Sequence, residues 1–369
     1  MTDRGKYAET QRDISISDIA ICFMSVFLFA LMIRNSDVAL SYMSKGLSLC
    51  ARTVIPSLFP FMVISELFLS SGAARTLGKL LSPVAKMLFG VSGEGVTPIL
   101  LGAFCGFPIG ARCAVSLFDS GRISKNECVR VLAISSVPSS AFLISSVGIA
   151  LFGSRAFGRL LFSATLLCSL ILGVVLNLIS KKNRHKESLG AAKKESPRLS
   201  AYNFSDAISS SAEAMLRVCG FVVFFTAFVG VLCSFFDALS LSPCLRAAIC
   251  SAFEMTGGVS SAAALGDKIT GATLAAAAVG WSGISVHLQI SSICRGRELS
   301  LRPYILSKLA SGVLTAALVR GYLALRPIEF HTDLPTALFP PRAAWIISAL
   351  FLLSLSCLLF KKLRKKQKS

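Results

Sequence analysis

Charged side chains are scarce in this sequence. Asp, Glu, Lys and Arg make up 15% of the 369 residues, and hydrophobic residues make up 54%. A soluble domain, by comparison, carries roughly 25% charged residues. The mean hydropathy is +0.69, and long apolar runs lie at 14–33, 157–179, 212–236 and 343–360. Each is about as long as the roughly 20 residues that a bilayer core requires. The composition therefore excludes a soluble globule and predicts a polytopic α-helical membrane protein.

The sequence also lacks the short motifs of common catalytic sites. It contains no Walker A motif, no Gly-x-Ser-x-Gly and no His-Glu-x-x-His, so it indicates neither ATP hydrolysis within this chain nor hydrolase chemistry. The 12 cysteines include no Cys-x-x-Cys pair and lie almost all within apolar runs, where cysteine acts as a small hydrophobic residue. We predict that the chain is not an enzyme and holds neither a cofactor nor a structural metal.

Acidic residues are half as numerous as basic ones. The chain has 38 Lys and Arg against 19 Asp and Glu, a formal net charge of +19, which could indicate nucleic-acid binding. The positive charge is concentrated, however, at 181–198 and 361–369, each directly after an apolar run. Basic residues at such places hold a loop on the cytoplasmic side and attract anionic lipid. We interpret them as topology signals, with the lipid bilayer rather than nucleic acid as the partner.

The apolar runs divide the chain into two similar halves. We predict an uncleaved N-terminal anchor helix within 1–35, a first repeat at 36–180, a basic cytoplasmic loop at 181–205, a second repeat at 206–328, and a C-terminal helix with a basic tail at 342–369. Helices are predicted at 14–33, 52–71, 126–150, 157–180, 206–236, 270–294, 303–326 and 342–360. Shorter pieces that mix polar and apolar residues, expected along the membrane interface, lie at 38–50 and 76–90.

Two further apolar segments, 95–118 and 243–266, are rich in Gly, Ser and Pro, and each precedes a short polar turn. We predict that both are re-entrant hairpins, which enter the membrane and leave on the same side. With about eight crossings and these two hairpins, the N-terminus, the 181–205 loop and the C-terminus all fall on the cytoplasmic side, as the basic segments require.

Each predicted hairpin precedes a helix whose pattern is interrupted. SSVPSS at 135–140 interrupts the first helix, and GWSGIS at 280–285 interrupts the second. A broken hairpin followed by a broken helix, found twice, is typical of secondary transporters built from structural repeats. In such proteins the substrate site lies between the broken elements.

The first hairpin contains the stretch GAFCGFPIGARC at 102–113. Non-helical backbone at membrane depth needs partners for its N–H and C=O groups, and a half-helix N-terminus offers free N–H donors to an anion. The candidate anion cradle consists of Gly106, Phe107, Pro108, Gly110 and Arg112. The alternative interpretation is close helix packing through the glycines, with Arg112 extending to the lipid headgroups.

Other polar residues within apolar segments are candidate ligands, because a charge at a helix centre costs roughly 2.5–3.5 kcal/mol on insertion scales. Glu254 is either a carboxylate that binds the coupling cation or proton, or a hairpin-end residue that faces water. His287 either titrates or donates a hydrogen bond to a carboxylate, or it is a hydrogen-bonded packing residue. Asp119, Glu127 and Arg130 are assigned to a solvated turn. The remaining candidates flank the breaks and are Ser136, Ser139, Thr256, Gly257, Ser282, Ser285 and Gln289.

Several of these motifs together resemble a known family. The motifs are PSLFPFMVISEL (56–67), GFPIGAR (106–112), GRISKNE (121–127), FEMTGG (253–258) and GWSGISVHLQ (280–289). They closely resemble the sporulation integral membrane proteins of the YlbJ or SpoVV type, in order along residues 36–325. That family is grouped with the nucleoside-recognition (Gate) proteins, which are similar in fold to concentrative nucleoside transporters. The resemblance implies the same all-α repeat architecture here.

The resemblance also implies a function. It points to a protein of the outer forespore membrane that moves dipicolinic acid, a small anionic substrate, toward the developing spore. Relatives typically carry Asn-Asn-Ser-Gly-Pro at the first broken helix, whereas this chain has only Ser, Val and Pro at 135–140. The alternatives are a permease for nucleosides or other small solutes and a non-transporting sporulation scaffold. Na⁺ and H⁺ are alternative coupling ions, and the pattern permits an oligomer.

The basic segments generate a testable topology. A reporter fused at residue 190 and one fused at the C-terminus should both report a cytoplasmic location, because positively charged segments next to spans stay on that side. A fusion in the short loop at 151–156 should report the opposite side and serves as the control. Opposite-side signals from the first two fusions would contradict the scheme with two hairpins.

Overall fold

The computed structural model describes residues 16–70, 73–180, 201–326 and 328–330, and every regular element in these ranges is helical. The helices are α1 (Ile16–Arg34), α2 (Ser36–Leu49), α3 (Ile55–Ser70), α4 (Ala73–Phe89), α5 (Gly93–Cys105), α6 (Phe107–Asp119), α7 (Lys125–Ser135), α8 (Arg155–Ser180), α9 (Ala201–Ala238), α10 (Pro243–Phe253), α11 (Met255–Ala263), α12 (Lys268–Trp281), α13 (Gly283–Ile293) and α14 (Arg302–Leu325). Two π-helical segments lie at Cys50–Val54 and Phe142–Leu151. The all-α class is confirmed for these ranges. Most of the predicted basic loop and the predicted helix at 342–360 lie outside the described residues.

Four helical stretches are long and apolar enough to cross a membrane: Arg155–Ser180, Phe204–Phe236, Lys268–Ile293 and Arg302–Leu325. Two bent pairs raise the number to six if each counts as one span: Ser25–Arg34 with Ser36–Leu49, bent by 97°, and Thr76–Phe89 with Gly93–Cys105, bent by 85°. Large apolar side chains such as Leu216, Val313 and Leu325 stay exposed on these helices, as surfaces that face lipid require. The protein is thus a multi-pass integral membrane protein with four to six candidate spans in the described ranges, and the count of about eight crossings stays a prediction.

Both segments predicted to be hairpins are pairs of helices that fold back on each other, and their re-entrant course through the membrane stays a prediction. In the first, α5 and α6 meet at Gly106, and a Cβ atom placed on Gly110 would lie 2.8 Å from the Cα atom of Gly102. In the second, α10 and α11 meet at Glu254, and a Cβ atom on Gly258 would lie 2.3 Å from the Cα atom of Ser251. Glycine at the crossing point allows the two backbones to touch, because any side chain there would separate them.

Both predicted helix interruptions are also confirmed. Helix α7 ends at Ser135, residues 136–139 are not helical, and the π-helical segment follows. Helix α12 ends at Trp281, and the chain turns through Ser282 and Gly283, which both have a positive φ (74° and 78°), into α13. The same order of hairpin, broken helix and long helix therefore occurs twice, with α8 closing the first set and α14 the second.

Each hairpin tip lies against the broken helix of its own half. A Cβ atom on Gly106 would lie 3.3 Å from the backbone nitrogen of Ser139, and a Cβ atom on Gly283 would lie 3.0 Å from that of Met255. The prediction that the tips lie beside 135–140 and 280–285 is thus confirmed. Because both φ angles are positive (103° and 78°), these two glycines also supply a backbone conformation that other residues rarely adopt.

The hydrophobic core is shared between the halves. One cluster joins Ala111 and Val131 of the first half to Ile290 of α13. Another joins Phe157 of α8 to Val259 of the second hairpin. Since burial of apolar surface spans the two sets of elements, neither half packs its core alone.

One polar assignment from the sequence is wrong. Glu127 and Arg130 are 6% and 5% exposed and do not belong to a solvated turn, although Asp119 is exposed as predicted. Arg130 donates to the carbonyl oxygen of Gly90 (3.2 Å), and Glu127 accepts from the backbone N–H of Ser92. The connection between α4 and α5 exposes backbone groups that have no partner within a helix, and these two side chains of α7 satisfy them.

The close contacts of the first hairpin predict a sensitive position. A Cβ atom on Gly102 would lie 2.1 Å from the carbonyl oxygen of Ser135, so Gly102→Ala must push α5 and α7 apart. Overpacking of this kind costs about 1–3 kcal/mol, and we expect a clear fall in the Tm of the detergent-purified protein. Gly220→Ala is the matched control, because a Cβ atom on Gly220 meets nothing within 4 Å. Equal Tm values for the two variants would contradict the close packing.

Candidate functional site

A cavity of about 790 Å³ lies between α3, α6, α9, α13 and the loop after α13. Its volume falls within the roughly 300–1,000 Å³ that small-molecule pockets occupy. The charged residues that line it are four arginines and three carboxylates: Arg112, Arg217, Arg295, Arg297, Glu66, Asp119 and Glu213. We call it the arginine cavity, and its wall carries an excess of positive charge.

Arg112 projects from α6 into this cavity. Its Nη2 atom donates to the hydroxyl of Ser210 (2.7 Å) and to the Ser210 carbonyl oxygen (3.3 Å), and it lies 3.8 Å from a carboxylate oxygen of Glu66. The side chain keeps 18% of its surface exposed. The guanidinium is therefore held by α9 and α3, and it still has free N–H donors because arginine carries five.

A second arginine is tied down more firmly. Arg297, in the loop after α13, donates from two nitrogens to the two carboxylate oxygens of Asp119 at the end of α6. The hydrogen bonds to Asp119 raise the pKa of the Arg297 guanidinium. This bidentate pair fixes the loop against α6, whereas Arg217 and Arg295 form no ion pair among the described residues.

The first hairpin break offers fewer backbone donors than a free helix N-terminus would. Ile109 and Gly110 donate their N–H groups to the carbonyl oxygen of Gly106, and Pro108 has no N–H. That leaves the N–H of Phe107 as the donor that the break could provide. Arg112 follows Gly106 by six positions and therefore lies about 9 Å from it along the axis of α6, at a rise of 1.5 Å per residue. The predicted cradle therefore separates into a break with one donor and a guanidinium on the wall of the arginine cavity.

A smaller cavity of about 100 Å³ lies where the hairpin tips meet. We call it the central cavity. Seven of the sequence-predicted residues line it, namely Gly106, Phe107, Pro108, Ser139, Glu254, Thr256 and Gln289. Pro108 and Gln289 also line the arginine cavity. The two cavities therefore share a wall, which makes the central cavity a candidate inner end of the same pathway.

Glu254 occupies the N-terminal end of α11. Its carboxylate accepts from the backbone N–H groups of Thr256 (2.9 Å) and Gly257, and the residue is 7% exposed. The interpretation as a hairpin-end residue that faces water is wrong, because the hairpin buries its own break. The second hairpin thus carries a carboxylate at the position where the first hairpin has Gly106.

The remaining predicted residues have diverse surroundings. The Ser282 hydroxyl donates to the carbonyl oxygen of Val279 (3.2 Å). Gln289 donates from Nε2 to the Ser285 hydroxyl (3.4 Å), while its Oε1 atom has no partner within the described ranges. Gly110 packs against α5 and lines neither cavity.

His287 packs between aromatic rings. Its ring centroid lies 4.2 Å from that of Trp281 and 5.4 Å from that of Tyr304. Neither ring nitrogen has a hydrogen-bond partner in the part of the chain that the structure describes. The packing half of its predicted role therefore holds, and the hydrogen-bonding half stays a prediction.

Sequence reasoning missed Lys308. This residue of α14 is 2% exposed, and its Nζ atom donates to the carbonyl oxygen of Ser136 (2.6 Å), the residue that follows the end of α7. A lysine within the otherwise apolar run of α14 was the available signal. Its partner could not be found in this way, because 172 residues separate the two positions.

The role of Glu254 can be tested by its removal. Glu254→Ala leaves two partly buried N–H groups of α11 without an acceptor, so we expect a loss of about 1–3 kcal/mol and a lower Tm. Asp267→Ala is the matched control: Asp267 caps α12 by accepting from Ile269 N–H (3.0 Å), but in an exposed turn. Water replaces the cap there, so the control should lose less. A larger loss in the control would contradict a buried cap at Glu254.

Comparison with known proteins covers the elements just described. Residues 51–182 match the Gate family, described as nucleoside recognition. The matched region contains the first hairpin, the first broken helix and α8. The chain is 27% identical over 343 residues to the sporulation integral membrane protein YlbJ of Bacillus subtilis (strain 168), with 82% of each chain covered. No solved structure is similar to the chain. The resemblance inferred from the motifs is confirmed: the chain is similar to the Gate family over residues 51–182 and to YlbJ over most of its length.

Proposed function

We propose that this protein is a secondary transporter of a small anionic solute in a sporulation membrane. The observation that carries the proposal is the arginine cavity, which shares Pro108 and Gln289 with the central cavity between the hairpin tips. Its wall has four arginines against three carboxylates, and this imbalance favours a negatively charged occupant. The sporulation setting follows the name of the relative YlbJ, and the outer forespore membrane is the location that we propose.

The broken elements support transport over a purely structural role. Each break leaves backbone groups that need partners in an apolar surrounding, at several kcal/mol for every group left unpaired. Transporters use such discontinuous helices to build a site near the membrane centre and to move one repeat against the other. A scaffold that only recruits partners requires neither the breaks nor a charged internal cavity.

The partners of the four arginines indicate which guanidinium groups are available to an anion. Asp119 neutralises Arg297 through a bidentate contact, whereas Glu66 contacts Arg112 only at 3.8 Å. Arg217 and Arg295, without an ion pair among the described residues, face one further carboxylate, Glu213, so the positive charge remains in excess. A dicarboxylate could bridge two of these guanidinium groups, since arginine suits carboxylates geometrically. Dipicolinate, which the family resemblance suggests, is the first dicarboxylate to test.

A nucleoside is the second candidate. The matched region is described as nucleoside recognition, and the amide of Gln289 lies in the wall shared by both cavities with its Oε1 atom unpartnered. A neutral nucleoside would use such amide and hydroxyl groups and would leave the arginines without a partner. The two candidates therefore differ in whether uptake depends on Arg112.

Uptake by the purified protein in proteoliposomes distinguishes these candidates. We expect labelled dipicolinate to accumulate faster than in protein-free liposomes, and an excess of unlabelled dicarboxylate to reduce this uptake. Uptake of uridine alone would favour the nucleoside function. No uptake of either solute by correctly inserted protein would contradict transport.

Substitution of Arg112 is the most direct test of the anion site. Charge-assisted hydrogen bonds contribute roughly 1.5–3 kcal/mol, so Arg112→Ala should lower dipicolinate uptake about tenfold or more at unchanged membrane levels. Arg112→Lys should keep part of the activity, because the charge stays and the planar fork is lost.

Arg320→Ala is the matched control, since Arg320 is exposed on α14 and lines neither cavity. It should transport like the wild type. Normal dipicolinate uptake by a well-inserted Arg112→Ala protein would contradict an anion site at Arg112.

A further inference from the structure

Two cysteine thiols touch where the second hairpin begins. The Sγ atom of Cys233 on α9 lies 3.0 Å from the Sγ atom of Cys250 on α10, and both residues are thiols in the structure. This distance is shorter than ordinary van der Waals contact between two sulfur atoms. A disulfide needs a sulfur separation of about 2.05 Å, so the two atoms would have to approach each other by only about 1 Å.

The packing of α10 on α9 holds the two sulfur atoms in place. Phe228 of α9 and Phe253 of α10 form an edge-to-face ring contact, with 5.2 Å between the ring centroids. The contacts move toward the start of α9 as they move toward the end of α10, so the two helices run antiparallel there. Cys250 is buried and Cys233 is partly exposed. The thiol contact therefore belongs to a packed interface between two helices.

The position of the pair along the chain favours oxidation. Cys233 lies three residues from the end of the candidate span Phe204–Phe236. The other end of this span follows the basic segment at 181–198, which is predicted to be cytoplasmic. The predicted topology thus places the two thiols toward the non-cytoplasmic side, where disulfides form and persist.

We propose that Cys233 and Cys250 are an oxidation site, at which a disulfide bond fastens the second hairpin to α9. Glu254, at the tip of this hairpin, lies four residues beyond Cys250 and lines the central cavity. The bond therefore acts on the helix that carries the tip.

The co-reactant is an external disulfide such as oxidised glutathione. The Cys233 thiolate attacks one sulfur of that disulfide, because Cys233 is the partly exposed member of the pair. The external S–S bond breaks, and its leaving thiolate takes up the proton that Cys233 lost. The Cys250 thiolate then attacks the Cys233 sulfur and displaces the second external thiolate, which takes up the proton from Cys250. The protein loses two electrons, and one external disulfide becomes two thiols.

Peptide mapping of the purified full-length protein tests the bond. The protein is incubated with oxidised glutathione, its remaining thiols are blocked with N-ethylmaleimide, and trypsin then cuts after Arg246, between the two cysteines. We expect the peptides 218–246 and 247–268 to be joined, and dithiothreitol to separate them. Separate peptides from the oxidised wild type would overturn the proposal.

Cys244→Ser is the matched control, because Cys244 is exposed on α10 and lies in the same tryptic peptide as Cys233. This variant should give joined peptides as the wild type does. Cys250→Ser should give none and should keep a glutathione adduct on Cys233, because the thiol that displaces glutathione is missing. Joined peptides in Cys233→Ser, or their loss in Cys244→Ser, would overturn the assignment to this pair.

Thermal unfolding shows whether the bond fastens the hairpin. The oxidised wild type should have a Tm at least about 2 °C above that of the dithiothreitol-treated protein, because a crosslink restricts the unfolded chain. Cys233→Ser should not gain this rise. A wild type with joined peptides but an unchanged Tm would overturn the fastening. These measurements use no transported solute, so this proposal and the anion transport proposed above can fail independently of each other.

Discussion

Backbone groups at four helix breaks, all in apolar surroundings, are the constraint on which the rest of the structure depends. A helix that ends inside the protein leaves N–H or C=O groups that water cannot reach. Each break is satisfied differently: Gly106 accepts from its own α6, Glu254 caps α11, Ser282 closes α12, and Lys308 reaches the end of α7 from another helix. Two of these four partners, Glu254 and Lys308, are charged, so the breaks place charge inside the protein. The central cavity lies beside Gly106 and Glu254.

Close contact between backbones is the second requirement, because the breaks meet only if the elements that carry them touch. Glycines at the crossing of each hairpin, and Gly102 against α7, bring main chains into direct contact. The hydrophobic clusters then join elements of one half to elements of the other. The breaks are thus held together by packing between the halves, which places the central cavity where both hairpin tips arrive.

Charge is distributed between two places with different surroundings. The arginine cavity holds its guanidinium groups partly exposed, where they keep donors for a ligand. Lys308 is enclosed by protein, and its ammonium is directed at the end of a helix. The arginines thus keep donors at a cavity wall, whereas the buried ammonium has a fixed partner within the protein, as a buried ion requires.

Helix positions and breaks could be predicted from the sequence because they depend on neighbouring residues: run length, glycine, proline and serine act within a few positions. The partners at the breaks were decided by tertiary structure. Glu127 and Arg130 follow a polar turn, but packing of α7 on the link between α4 and α5 buries them. Lys308 meets Ser136 across 172 residues. No local pattern encodes such contacts, since they arise only when separate helices pack side by side.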